Sequence, residues 1–206
     1  MEDVLEAVEV SHESLTGLLA DAATDAALAS GAMCVYRVLP VLCWEAPPGL
    51  YASLVGPEKW QPDTLSNRML EILEELREGI DAGRFEEVSE GVGDMYSMAS
   101  EMVLRFFEDG FEAGEWSDWC STLGLDIHQQ LDAMLGESGE ATVAAFIPAG
   151  TPPDLTPLEG LELGDQISTL VRLGSSDKAV RQSVLEIAER GNLRTRTALA
   201  RVADSL

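Results

Sequence analysis

This 206-residue chain carries 37 acidic side chains against 13 basic ones, a formal net charge of −24, and has a pI of about 4.1. That balance argues against direct nucleic-acid binding, because affinity for phosphate comes from lysine and arginine displacing counterions. A hydrophobic fraction of 46% argues against global disorder. Three cysteines without CxxC spacing, Cys34, Cys43 and Cys120, argue against a disulfide framework and predict reduced thiols in a cytoplasm.

The opening residues, MEDVLEAVEV, are acidic where a secretory signal needs a basic end, so no signal is expected. Leu and Ala alternate with acid and Thr over 13–30, which predicts a helix. Residues 26–44 are apolar with a single charge, Arg37. A charge at mid-span costs about 2.5–3.5 kcal/mol to insert in a bilayer, and Pro40 breaks the backbone pairing. The run therefore reads as a buried core segment, with no membrane partner, and Arg37 is expected to reach a carboxylate. Within it, 33–39 looks like strand but is equally compatible with helix or extended coil.

A clear helix is expected over 63–80, with Leu65, Met69, Ile72, Leu73, Leu76 and Ile80 on one stripe and Gly83 as its stop. A second follows over 85–108, weakened by Gly91 and Gly93, and the short connection predicts an antiparallel hairpin. Another helix is expected over 125–135, and a strand-like piece over 141–147. The prolines of 148–163 read as a linker or surface crossing. Three short helices are then expected, over 164–173, 177–190 and 192–205, with Gly174 and Gly191 as stops and Ser176 and Asn192 as caps.

The expected fold class is all-α, an antiparallel helix-hairpin bundle of about six to eight helices with at most two short strands. Its organisation is an acidic helical body over 1–147, the Pro-rich stretch over 148–163, and a C-terminal helical segment over 164–206 packed on the body. Residues 1–174 carry a net −26, whereas 175–206 carry +2. The basic segment could thus dock on the acidic body or on a second copy of the chain.

No nucleophile elbow, phosphate loop, dinucleotide fingerprint or HExxH motif occurs, and no cofactor is expected. The acids of the predicted hairpin are the best metal candidates: Glu71, Glu74, Glu90 and Asp94. Glu71-Ile-Leu-Glu74 resembles the first half of the E-x-x-E and E-x-x-D pattern of the all-α nucleotide pyrophosphatases. That resemblance implies a magnesium-dependent nucleotide hydrolase. The second half departs from the pattern: Gly91 stands three residues before Asp94, and Glu87-Val-Ser-Glu90 is the nearest substitute. Helical phase also points these acids more than about 140° from the apolar stripes, away from the seam. The sequence reading is accordingly no metal and no catalytic residue. A Cys120–His128 thiol–imidazole pair and a role for His12 beside Ser11 and Ser14 are weaker candidates.

The segment FFEDGFEAGEWSDWC, 106–120, interleaves aromatic rings with acids. Rings that anchor and carboxylates that steer suit the recognition of a basic protein surface. The candidate partner-binding residues are Glu108, Asp109, Phe111, Glu112, Glu115, Trp116, Asp118 and Trp119; the alternative is that the rings fill a helix–helix connection. The functional expectation is a non-catalytic acidic binding or inhibitor protein of the nucleic-acid-mimic, immunity or phage anti-defence type. Its partner would be a basic surface on a nucleic-acid-binding protein or toxin. The alternatives are the hydrolase above and a structural protein with a salt-adapted surface.

Overall fold

The computed structural model describes residues 8–42, 65–83, 92–136 and 155–205. The expected strand over 141–147, the stretch 148–154, Cys43, Glu87 and Glu90 lie outside these residues.

Among the described residues the fold is an all-α bundle of seven helices without strands: α1 His12–Ala20, α2 Thr24–Leu42, α3 Leu65–Asp81, α4 Gly93–Leu104, α5 Ala113–Leu135, α6 Pro157–Leu173 and α7 Lys178–Ser205. A 3₁₀ turn, Arg105–Phe107, follows α4.

Helix α2 is the axis of the bundle. It packs against α3, α4, α5, α6 and α7, and every residue from Ala29 to Leu42 is buried. A segment covered on all sides carries no period to tell helix from strand, so 33–39, strand-like in sequence but equally compatible with helix or extended coil, is decided here as helix. By length and composition α2 is the one described helix able to cross a membrane, and its apolar surface is buried inside the protein. Gly31 lets α5 approach closely: a Cβ there would lie 2.6 Å from the Trp116 ring.

The single helix expected over 13–30 is two. Ser11 Oγ caps α1 by accepting from Ser14 N at 3.1 Å, and the chain turns at Asp21–Ala23 before α2. In α3 the predicted stripe is buried at Ile72, Leu73 and Leu76, and Gly83 takes the left-handed conformation, φ 63°, just beyond its end. Helix α4 packs on α3. Helix α5 starts well before the expected residue 125 and runs on to Gly136, whose φ is 59°. Its mid-helix Gly124 lies against Gln166 and Glu162 of α6.

The prolines of the 148–163 stretch do not prevent a helix from starting at Pro157. Proline is favoured at the first helical position, where its missing N–H would have no partner. Glu159 accepts from Thr156 N at 3.1 Å, and Asp132 of α5 accepts from Leu158 N at 2.7 Å. Between them they occupy donors that the helix start leaves unpaired.

The last two expected helices are one. Helix α7 runs unbroken through Gly191 and Asn192, packing on α2 and α6. Gly191 is a contact and not a stop: a Cβ there would come within 2.7 Å of Arg37 Cγ, and closer to Cδ. Asn192 is buried and donates its Nδ2 to the Tyr36 carbonyl at 2.8 Å. The C-terminal segment is thereby part of the bundle.

Candidate functional site

The acid and aromatic residues of 106–120 divide between core and surface. Trp116 is 2% exposed, and its Nε1 donates to the Met102 carbonyl at 2.9 Å. Phe106 stands edge-on to it at 5.0 Å, and Phe111 edge-on to Phe106 at 4.6 Å. Phe111 is exposed and Trp119 is half-buried. Glu108, Asp109, Glu112, Glu115 and Asp118 all face water. The exposed part of this segment is thus the five acids with Phe111, beside the half-buried Trp119; Trp116 supports it from within.

The exposed acids continue across the neighbouring helices. Glu71, Glu74, Glu75, Glu78 and Asp81 on α3, Asp94 and Glu101 on α4, and Asp126 on α5 are exposed. The two described arginines of this region lie over aromatic rings: Arg77 over Phe107 at 4.7 Å and Arg105 over Trp119 at 4.4 Å. Such stacking keeps each cation beside a π face and covers ring surface with its aliphatic stem.

Of the four metal candidates, Glu71, Glu74 and Asp94 are exposed, and Glu90 lies outside the described residues. Among the described residues no group of three or more His, Cys, Asp or Glu is placed to hold a metal ion. The structure does not pair Cys120 with His128 in a hydrogen bond. Cys120 is buried, with Sγ 3.9 Å from the Met102 carbonyl. His128 places Nδ1 2.7 Å from the Gly124 carbonyl and Nε2 3.1 Å from Thr195 Oγ1. Burial lowers the His128 pKa despite the nearby Glu162 carboxylate. The neutral ring therefore carries its proton on Nδ1, facing a carbonyl that can only accept.

Behind this surface lies a charged core that the sequence reading reached only at Arg37. Arg37 and Glu162 are fully buried and meet in a forked pair: Nε donates to Oε1 at 2.8 Å and to Oε2 at 3.0 Å, and Nη2 lies 2.8 Å from Oε1. Burial works against the Glu162 charge, but Arg37, then His128 once it is protonated in acid, and Arg194 hold its pKa down at about 2. Burial likewise works against the Arg37 charge, and Glu162 outweighs it, so the guanidinium pKa is raised. Glu162 also accepts from Gln166 Nε2 at 3.0 Å and from Arg194 Nη2 at 3.3 Å. Arg194 Nη1 reaches Asp165 at 2.8 Å, and Arg190 Nη2 reaches the other Asp165 oxygen at 2.6 Å. Cys34 Sγ accepts from Arg37 Nη2 at 3.2 Å; burial pushes this thiol up to about 12, so it is no nucleophile.

A signal for this network exists in the sequence. Glu162, Asp165 and Gln166 stand at i, i+3 and i+4 amid apolar neighbours, and Arg190 and Arg194 are four apart, so each set shares one helical face.

Comparison with protein-family models, with curated proteins and with solved structures gives no match to this chain.

Proposed function

We propose that this protein is a non-catalytic acidic binding protein that docks the carboxylate face of α3, α4 and α5 on a basic partner surface. One observation carries the reading. Every described Asp and Glu from Glu71 to Asp126 is exposed, whereas both described arginines of that stretch are stacked on rings. The face carries many more exposed carboxylates than cations, at the cost of self-repulsion.

Neighbouring carboxylates on one helix face stand about 5–6 Å apart, close to phosphate spacing along a nucleic-acid strand. A cleft built for DNA or RNA is the basic surface that this spacing suits, and opposite charge speeds the encounter. Phe111 supplies the apolar contact that charge alone lacks. A cytoplasmic setting belongs to the same reading.

The test is capture from native lysate at low and at high salt, with the natural chain and with Glu108→Lys/Asp109→Lys/Glu112→Lys/Glu115→Lys. A basic nucleic-acid-binding protein should be retained at low salt, released by added heparin, and lost with the lysine variant. Retention indifferent to that variant defeats the proposal. So does a chain that folds only in molar salt and captures nothing, which would mark the charge as salt adaptation.

A further inference from the structure

A cavity of about 610 Å³ opens where the end of α5 meets α6 and α7. Its volume falls in the range of pockets that enclose a small organic molecule. Val10, Leu135, Leu158, Leu161 and Ala198 give it an apolar wall. Leu193 lines it while 60% exposed, one of two large hydrophobic residues so exposed among those described.

The polar part of the lining is cationic. Arg190, Arg194 and Arg201 line the cavity against one carboxylate, Asp165. That gathers three of the chain's thirteen basic residues at one place in a protein of net charge −24. The charged core accounts for only part of this. Arg37, Arg190 and Arg194 share two carboxylates, Glu162 and Asp165. Arg201 is exposed and has no ion-pair partner among the described residues. Arg194 Nε is buried without an acceptor.

The geometry points to a binding site for an amphipathic carboxylate, its aliphatic body against the leucines and its head group at Arg201. Apolar burial supplies the driving force. The guanidinium supplies the preference for an anion, in a geometry that matches a carboxylate. The negative charge of the whole chain does not forbid this. Charges further away than about 8 Å are largely screened at physiological salt, while Arg201 and Arg190 line the cavity itself. A second copy of the chain is a poorer occupant, since it would bring its own net charge of −24 to the same place.

Calorimetry of the full chain with decanoate, 1-decanol and decyltrimethylammonium tests this. Decanoate should bind saturably at one site, with the alcohol and the cation weaker by about tenfold or more. Arg201→Glu should weaken decanoate to a similar degree. Gly164 lines the cavity, and a Cβ built on it meets nothing within 4 Å. Gly164→Leu should therefore fold, as circular dichroism would report, yet lose decanoate binding by filling the space. No saturable decanoate binding by the folded natural chain overturns the proposal. Equal affinity for the alcohol or the cation, or binding that both variants leave unchanged, also overturns it.

Discussion

Asn192 completes a hydrogen bond that Pro40 removes. In an α-helix the amide of residue 40 would pair with the carbonyl of residue 36. Proline has no N–H, and the Asn192 side chain from α7 donates to the Tyr36 carbonyl at 2.8 Å instead. The proline is thus tolerated inside a buried stretch of helix because a second helix supplies the missing donor.

This relationship predicts coupling. Asn192→Ala should destabilise the fold by about 1–2 kcal/mol, the cost of taking a donor from a buried carbonyl. With Pro40→Ala, which restores an amide at position 40, the same substitution should cost less than half as much. Urea unfolding of the four chains measures the cycle, and additive costs would refute the link.

Gly191 should refuse a side chain although it lies inside a helix. Glycine in a helix interior ordinarily costs about 1 kcal/mol relative to alanine, so alanine would normally stabilise. Here the added Cβ meets the Arg37 stem, and overpacking costs about 1–3 kcal/mol. Gly191→Ala should give no gain, and Gly191→Val should lower the unfolding midpoint clearly. A stabilised Gly191→Ala would show that Arg37 yields without cost.

The Arg37–Glu162 pair should be costly to break and much cheaper to remove whole. Arg37→Met leaves a buried carboxylate with Arg194, Gln166 and the more distant His128, so a loss of about 3 kcal/mol is expected. Arg37→Met with Glu162→Met deletes both charges and should recover at least half of that loss. A double variant no more stable than Arg37→Met alone would refute this account of the charged core.

Stability should fall in acid through Glu162. Its folded pKa, about 2, lies below its ordinary value of 4.5. Its contribution is therefore complete above about pH 4.5 and is lost as pH falls towards 2. The stability gap between the natural chain and Glu162→Gln should shrink by about 2–3 kcal/mol between pH 5.5 and pH 2.5. His128 adds a loss of the same sign below its ordinary value of 6.5, because burial keeps its folded pKa lower. Glu162 raises the His128 pKa, so this loss is larger in Glu162→Gln and offsets part of the change in the gap, whereas the relief of surface repulsion when the exposed acids protonate is common to both chains. A gap constant over that range would show that Glu162 is not held ionised.

The sequence by itself determined the class of structure and the character of its surface. The stripe through Ile72, Leu73 and Leu76 could be read because one side of α3 is buried and the other is wet, so the pattern repeats with the helical turn. The exposure of Glu71, Glu74 and Asp94 was legible for the same reason. Arg37 in an apolar run already required a carboxylate. Only the tertiary structure decided that the carboxylate is Glu162, 125 residues away, that α2 is a helix through its buried centre, and that Gly191 receives a neighbour where local signals predicted a helix end. Capping and propensity act over a few residues. Which distant side chain fills a space, satisfies a carbonyl or neutralises a charge is set by packing.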